Sequence, residues 1–312
     1  MSKSNKTLGI VFIVLLVVAA LLLFTNTGKK ERSFRKTLVD IDTAQVSEIT
    51  IYPKVLKGKS VKLNRSGKNW FVELDNNKKA SVPKNKIDGI FRSLMSIKPK
   101  RLAARSKEQW HSLEVDSLGT RVVVNQGSKK VLDIIIGRFQ FHQPRSLSTF
   151  VRLNNDNNVY EVDGFLSMAF NKKADGFRDE TVLNGNVDKW NKLTFTYPAD
   201  SSFELVKVDK KWTCNTANID SAETVKYLNR ISHLTSTQFV DNIDTTKLNR
   251  PVYSLAIEGE NGKNFNVSAY KDSSGLVIHS SFNPDSYFKF KGLGKKIFIG
   301  TNSLKLKPKK KK

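Results

Sequence analysis

Four histidines, His111, His142, His233 and His279, are the side chains of this chain best suited to metal binding or proton transfer. No two of them stand two to five residues apart, and the one cysteine, Cys214, adds no cysteine cluster. Structural metal sites use closely spaced pairs of Cys and His. The spacing therefore predicts no metal centre, and we expect no cofactor.

Sequence signatures of nucleotide binding and acyl transfer are also missing. Neither G-x-x-x-x-G-K-[ST] nor G-x-G-x-x-G occurs, and GLGKK at 292–296 stands between strand-like runs rather than before a helix. No G-x-S-x-G elbow is present. Adjacent carboxylates such as Asp179 and Glu180 are common on solvated surfaces, so they give no acid–base assignment. We expect no enzymatic activity and no small-molecule substrate.

Two stretches stand above this background. The first, KPKRLAARSK at 98–107, follows a predicted helix and offers a group of cations to an acidic partner, lipid head groups or phosphate. Its cations are Lys98, Lys100, Arg101, Arg105 and Lys107. A solvated connector is the alternative interpretation of this stretch.

The second stretch, GRFQFHQPRS at 137–146, is predicted to be an exposed turn. Its prominent side chains are Phe139, Phe141, His142 and Arg145. Large apolar side chains are unusual in a turn unless they contact a partner or pack on another part of the chain. We therefore regard this stretch as a candidate for contact with a protein partner.

The net charge of +24 suggests nucleic-acid binding until it is located along the chain. Half of the excess lies in the two ends, residues 1–36 and 305–312. The body has no recognisable nucleic-acid motif, and its aromatic residues follow core-like patterns rather than a stacking platform. We expect no specific nucleic acid, and a basic nucleic-acid-binding protein remains an alternative.

An apolar run near the N-terminus, LGIVFIVLLVVAALLLF, contains seventeen residues (8–24) without a polar side chain. At about 1.5 Å per residue it covers most of a ~30 Å hydrocarbon core. The run is apolar on every face, unlike a helix on a protein core. We predict a transmembrane anchor at 8–25, between a short basic tail (1–7) and a basic linker (26–44). A cleaved signal peptide is the alternative, but no A-x-A site ends the run.

The orientation of this anchor is ambiguous by charge. Five basic residues follow the span and two precede it, which by the positive-inside rule leaves the large domain in the cytoplasm. A short tail before a single span and a large domain is also the pattern of an exported bacterial protein. We favour the bacterial inner membrane, with the large domain in the periplasm. The single Cys214 gives no redox evidence in either direction.

The rest of the chain contains one succession of patterns twice. ITIYP at 49–53 and TFTYP at 194–198 are each followed by a strand hairpin that carries a tryptophan, Trp70 or Trp212. A helix follows each hairpin, and two further hairpins follow each helix. The ordered recurrence predicts a duplication rather than a chance similarity.

Both predicted helices show one apolar face. In the first the apolar residues are Ile87, Ile90, Phe91, Leu94 and Ile97, and in the second they are Val225, Leu228, Ile231 and Leu234. Asp220 and Glu223 form a capping box at the start of the second. We predict an α+β fold: a transmembrane helix followed by two tandem modules of antiparallel strands, each with one main covering helix. The predicted modules are 45–183, which ends in a helical connector (162–183), and 184–304, with a lysine-rich tail at 305–312.

Several of these patterns together resemble one family. They are the N-terminal anchor, the Trp hairpin and helix, LEV (113–115), IIIG (134–137), YEV (160–162) and FRDETVL (177–183). In this succession the chain resembles the uncharacterised bacterial family DUF4340 over nearly everything after residue 37. The resemblance implies a cell-envelope setting, often near ABC-transporter components of the gliding-motility type. It implies no catalytic residue.

These observations lead to one expectation about function and, besides the nucleic-acid-binding protein named above, one alternative. We expect a membrane-anchored, non-enzymatic envelope protein that serves as a binding, scaffolding or accessory subunit for other envelope proteins. The alternative is a hydrolase or binding enzyme for envelope glycans, with its site in a cleft between the modules. Convergent carboxylates in that cleft would favour the alternative, whereas a cleft filled by Phe and Leu would not.

Overall fold

The computed structural model describes residues 12–17, 35–273 and 275–305. Residues 12–17 form helix α1, and all six of its side chains are exposed. The remainder of the predicted anchor lies outside the described residues. Within the part of the chain that is described, no helix is long and apolar enough to cross a membrane.

A nine-stranded sheet dominates the first half of the chain. Its strands are β1 (Glu48–Tyr52), β2 (Val61–Ser66), β3 (Asn69–Glu73), β4 (Lys79–Val82), β5 (Pro99–Ala104), β6 (Thr120–Gln126), β7 (Lys129–His142), β8 (Ser146–Leu153) and β9 (Val159–Asp163). Their order is β4-β3-β2-β1-β6-β7-β8-β9-β5, and all neighbours are antiparallel. Tight turns therefore connect most neighbours, while β5 crosses to the far edge and pairs with β9.

Helix α2 (Lys84–Met95) covers one face of this sheet. Pro83 precedes the helix, where a missing N–H is tolerated. Ile87, Ile90 and Leu94 are buried as the spacing predicts, and the ring of Phe91 meets Trp70 edge to face at 5.9 Å. The predicted amphipathic helix is confirmed at this position.

The second half contains a seven-stranded antiparallel sheet. Its strands are β11 (Trp190–Thr196), β12 (Phe203–Val208), β13 (Lys211–Cys214), β15 (Tyr253–Gly259), β16 (Asn264–Asp272), β17 (Gly275–Ser280) and β18 (Asn283–Lys289). A separate pair is formed by β10 (Thr181–Asn184) and β14 (His233–Thr235). Two helices belong to this half, α4 (Ser221–Ile231) and the short α5 (Leu293–Ile297). The chain as described is mostly strand with few helices, which is an α+β fold rich in β-sheet.

The two large sheets follow the same strand order. The first contains β3-β2-β1-β6-β7-β8-β9, and the second is β13-β12-β11-β15-β16-β17-β18. Trp70 and Trp212 occupy corresponding third strands, and both are buried. In each half a helix of eleven or twelve residues follows that hairpin.

Helix α4 differs in detail from its prediction. Asp220 caps it by accepting a hydrogen bond from the backbone N–H of Glu223 at 2.7 Å. Thr224 and Tyr227 are buried, whereas Val225 is exposed, so the predicted apolar face was wrong at that residue. The physical reason is that Tyr227 turns its ring inward and donates its hydroxyl to the backbone carbonyl of Ile297.

The predicted helical connector (162–183) is mostly not helical. Its helical parts are α3 (Ser167–Phe170) and one 3₁₀ turn (Ala174–Gly176), and the rest consists of bends, turns and irregular backbone between the strands at its two ends. Its carbonyls are instead bound by side chains from outside: Lys86 Nζ donates to Arg178 O at 2.7 Å, and Asn283 Nδ2 donates to Asp179 O at 2.7 Å. These contacts tie the connector to distant parts of the chain, which a helix periodicity in the sequence does not reveal.

Arg178 lies where this connector meets the second sheet, and its side chain is buried. Its Nη1 bonds both oxygens of Asp241, at 2.8 and 3.0 Å, and one oxygen of Asp175 at 3.2 Å. Its Nη2 donates to the hydroxyl of Ser286 at 3.2 Å, and the guanidinium stacks 3.8 Å from the ring centroid of Phe239. One arginine thereby joins the connector to two segments of the second half.

Candidate functional site

The two stretches singled out in the sequence come together on strand β9. The first forms strand β5 rather than a solvated connector, and Arg101 pairs in register with Glu161 of β9. The second is not a turn up to Arg145: strand β7 continues to His142, and the turn occupies residues 143–145. The prediction of a turn was wrong because pairing between β7 and β8 extends the strand well past Gly137.

Glu161 is the centre at which these strands meet. Its side chain is 4% exposed, and its two oxygens contact His142 Nε2 at 2.8 Å and Arg101 Nη2 at 2.5 Å. Ser148 Oγ lies 2.9 Å from the same His142 nitrogen. The buried carboxylate thus fixes the end of the β7–β8 hairpin to strand β5.

These residues do not form a nucleophilic triad. In such a triad the serine and the acid bind opposite nitrogens of the histidine ring, so that the ring can pass a proton between them. Here Ser148 and Glu161 both contact Nε2 of His142. Ser148 is also buried, so its hydroxyl is not open to a substrate. The arrangement positions side chains and does not activate a nucleophile.

Burial alone would raise the pKa of Glu161. The hydrogen bond from Ser148, the hydrogen bond from His142 and the charge of Arg101 outweigh that effect and hold the pKa below its usual value. A depressed pKa in the folded state means that Glu161 contributes stability above its unfolded pKa, and that this stability is lost as pH falls through the folded value.

We therefore expect Glu161→Gln to lower the free energy of unfolding by about 1–2 kcal/mol at pH 7. The deficit should begin to shrink below about pH 4, where the carboxyl group of the unfolded chain protonates first, and it should vanish as the pH falls through the lower pKa of the folded state. Urea unfolding at several pH values measures both effects. Asp163→Asn is the matched control on the same strand: its ion pair with Lys100 is exposed, and its cost should stay below about 0.5 kcal/mol. Equal costs for the two variants would contradict this assignment.

The remaining predicted cations do not converge on one point. Lys100 pairs with Asp163 at 2.7 Å, and the hydrogen bond that Lys100 donates to that carboxylate raises the pKa of Lys100. Lys107 Nζ lies 5.7 Å from the ring centroid of Trp110. Lys98 and Arg105 have no ion pair among the described residues. The stretch is a strand edge with two paired cations rather than a single anion pocket.

An apolar surface lies on the opposite face of the same hairpin. Phe139 and Phe141 are 51% and 58% exposed, and Phe141 pairs across the strands with Leu147. The ring of Phe139 meets Phe165 edge to face at 4.7 Å, and Phe165 lines a shallow groove with Met168, which is 68% exposed. We call these five residues the hairpin surface. Sequence patterns indicated Phe139 and Phe141 but missed the other three, which come from β8 and from the segment after β9.

A second groove, at the junction of the two halves, bears on the alternative function. It has a volume of about 560 Å³ and is lined by residues of β2, β3, the connector and the segment after β14. Its carboxylates are Glu73, Asp75, Asp175 and Asp241, and its lysines are Lys59, Lys62 and Lys173. Asp175 and Asp241 already bind Arg178. Half of the carboxylates therefore serve as counter-ions of a buried arginine.

A family model described as "Domain of unknown function (DUF4340)" matches residues 70–251, which is more than half of the chain. The chain belongs to the DUF4340 family. The match begins at Trp70 in β3 and ends at Pro251, just before β15, so it is narrower than the resemblance in the sequence suggested. It includes the hairpin surface and Arg178. No curated protein and no solved structure matches the chain.

Two of the motifs that pointed to DUF4340 have visible structural roles. Gly137, at the end of IIIG, lies against the loop before β6, where an added Cβ would overlap the carbonyl oxygen of Leu113. Arg178 in FRDETVL is the buried arginine of the junction. Both motifs are therefore determinants of packing.

Proposed function

We propose that this DUF4340 protein is a non-enzymatic accessory subunit of the bacterial cell envelope, anchored by its N-terminal helix and docking a protein partner on the hairpin surface. The observation that carries this proposal is the hairpin surface itself. Five large apolar side chains stand exposed around one hairpin end and the segment beside it. Monomeric proteins seldom expose such groups together unless they are covered by a partner.

The rigidity of the hairpin supports this interpretation. Behind the exposed phenylalanines, Glu161 binds both His142 and Arg101, so the end of the hairpin is fixed to the sheet. A surface that is ordered before it binds loses less conformational entropy on association. The buried carboxylate is thus a support for docking rather than a catalytic group.

The path of the chain supports a partner away from the bilayer. The long described segment begins at Arg35, whose Nε lies 3.9 Å from Asp156 in the β8–β9 turn. The tip of the hairpin, residues 143–145, lies at the other end of β8. Eight residues of strand span roughly 25 Å, so the tip and the entry of the chain from its anchor are well separated. We therefore propose an envelope protein, and not the anchoring membrane, as the occupant of the hairpin surface.

The matching strand order supports two further parts of the proposal. Two sheets with the same succession of seven strands, each with its tryptophan hairpin and helix, are what a duplicated module produces. The proposed modules are 45–183 and 184–304. The hairpin surface belongs to the first module, since its five residues all lie before residue 170.

The anchor is tested by removing residues 8–25. We expect the full-length chain to stay in the membrane fraction after carbonate extraction and the shortened chain to leave it, because the apolar run supplies the insertion energy. Protease added to intact spheroplasts should digest the large domain of the full-length chain if that domain is periplasmic. Protection of the domain from protease would contradict its export, and release of the full-length chain by carbonate would contradict the anchor.

One observation favours the glycan-acting alternative, namely the four carboxylates of the junction groove. Glu73→Gln and Asp75→Asn change the two that do not bind Arg178 and should leave the fold intact. If the groove were a glycosidase site, peptidoglycan fragments would be cleaved by the wild type and not by these variants. We expect no cleavage by any of the three proteins.

A further inference from the structure

Arg152 on strand β8 is a buried cation, with only 4% of its surface exposed. Its Nε donates to Val115 O at 3.0 Å, and its Nη1 donates to three carbonyls of residues 153–156 at 3.1–3.2 Å. The guanidinium carbon lies over the ring of Trp110, 3.7 Å from the ring centroid. These contacts are made to neutral groups, so they orient the arginine without cancelling its charge.

No carboxylate lies within ion-pair distance of Arg152 among the residues that the structure describes. Three acids act on its charge from a distance and contact other groups: Asp116 contacts His111 at 3.0 Å, Asp133 binds Arg121 at 2.7–2.8 Å, and Asp156 lies 3.9 Å from Arg35. Burial lowers the pKa of Arg152, but a guanidinium stays protonated in proteins. The charge is therefore held in a desolvated position without a direct counter-ion.

The side chain of Arg152 also lines a groove. Nη2 has no acceptor among the described residues and is not enclosed. The groove, of about 730 Å³, is also lined by Tyr52, Trp110 and Leu118. Lys57 also lines it and has no ion pair within the described part of the chain. A guanidinium without a direct counter-ion thus lines the same groove as Lys57. The groove's other charges are already engaged: Lys54 pairs with Glu114, Arg121 pairs with Asp133, and Asp116 contacts His111.

We propose that this groove binds the phosphate group of a phosphate ester. Nη2 of Arg152 donates to a phosphate oxygen, Lys57 contributes a second positive charge, and Tyr52 and Trp110 contact the apolar part of the ester. The ester comes from a lipid headgroup or from a soluble molecule, and the groove recognises the chemistry that both share. Arg35 lies beside Asp156 at this end of β8, so the groove is on the side where the chain enters from the proposed anchor. The inference does not depend on the proposed docking function.

The test uses the full-length chain in neutral detergent micelles, labelled with 5-fluorotryptophan. Four fluorine resonances are expected from the four tryptophans, and Trp110→Phe identifies that of residue 110. We expect phenyl phosphate to shift the Trp110 resonance saturably, and benzyl alcohol, a neutral aromatic, to leave it in place. Absence of a saturable shift, or an equal shift with benzyl alcohol, would overturn the proposal.

Two sets of variants locate the site. Arg152→Gln should weaken binding about tenfold, since a charge-assisted hydrogen bond is lost. Arg152 also holds the β8–β9 turn, so its replacement can affect folding. Two further variants are therefore made at Leu118, an exposed residue on the wall of the groove. Leu118→Glu should raise the Kd about threefold and Leu118→Lys should lower it by a similar factor. Equal Kd values for this pair would overturn the assignment even if Arg152→Gln fails to fold.

A final arm distinguishes the two sources of the ester. Micelles are doped with phosphatidylglycerol or, as the zwitterionic comparison, phosphatidylcholine. If a lipid headgroup is the ligand, phosphatidylglycerol competes with phenyl phosphate and phosphatidylcholine competes less. If a soluble ester is the ligand, neither lipid competes, and glycerol 1-phosphate displaces phenyl phosphate instead. Displacement by none of the three phosphate esters would contradict the proposal.

Discussion

Replacing Arg178 by Met is expected to lower the free energy of unfolding by about 3–5 kcal/mol, the cost of breaking a buried ion pair by removing one partner. The guanidinium is buried between the connector and the second half of the chain, where it binds Asp241, Asp175 and Ser286 and stacks on Phe239. Methionine fills similar volume but supplies none of these hydrogen bonds.

Replacing Arg178 should also cause the two halves of the chain to unfold at different temperatures. Arg178 belongs to the connector, which packs on the core of the first half, and it binds residues that pack on the core of the second half. Its removal therefore weakens the coupling between the two cores. We expect calorimetry to show one transition for the wild type and two resolved transitions for Arg178→Met. Lysine at this position should rescue only part of the stability, because it cannot reproduce the planar fork of donors.

Arg230→Met is the matched control for this prediction. Arg230 is exposed on α4, where its guanidinium lies 5.7 Å from the ring centroid of Tyr227. Its replacement should change stability by about 0.5 kcal/mol or less. A cost below about 1 kcal/mol for Arg178→Met, with the same number of transitions as the wild type, would show that the junction does not depend on this arginine.

The second large effect is expected on partner binding. Replacing both Phe139 and Phe141 by Ser should reduce recovery of the partner about thirtyfold or more, since buried aromatic anchors at an interface are each worth about 2 kcal/mol or more. The folded chain should change little in stability, because both rings are more than half exposed. Affinity capture from membranes after mild cross-linking compares the two proteins.

Val208→Ser provides the control for capture. Val208 is an exposed apolar strand residue, 51% exposed, at the end of β12 in the second half. Like the two phenylalanines, it is an apolar strand residue that is about half exposed, but it lies outside the hairpin surface. Recovery by the double variant that equals recovery by Val208→Ser would show that the partner does not dock on the hairpin.

The regular part of the fold could be predicted from the sequence because it follows from short-range patterns. The buried positions of α2, Ile87, Ile90 and Leu94, recur at helical spacing. The tryptophan hairpins alternate apolar and polar residues, and both Trp70 and Trp212 point inward. In such segments each residue's burial is set by its own element, so one sequence is sufficient.

Elements defined by distant partners could not be predicted. Strand β5 contains two exposed cations in a row, and its strand conformation depends on pairing with β9 rather than on its own residues. The connector is mostly non-helical, and its carbonyls are bound by Lys86 and Asn283, far away in the chain. No local periodicity records either contact.

The candidate site shows the same division. Phe139 and Phe141 could be proposed as contact residues because large apolar side chains are unusual in an exposed segment. Glu161 could not be proposed, because a single acid within VYEVD predicts only a strand. Its importance depends on burial beside His142 and Arg101, which only the sheet order brings together. Arg152 and Trp110 meet for the same reason. One signal was present in the sequence: a charged residue inside a buried strand requires a partner.

The central claim, that the hairpin surface docks an envelope protein, is tested most directly by site-specific photo-cross-linking in intact cells. A benzoylphenylalanine at position 141 of the full-length chain replaces an exposed phenylalanine by a larger aromatic group, and the same label at position 208 is the comparison. We predict a discrete protein adduct from position 141 that is absent at position 208 and that disappears when Phe139 is also changed to Ser. No adduct at position 141, or the same adducts from both positions, would contradict the account.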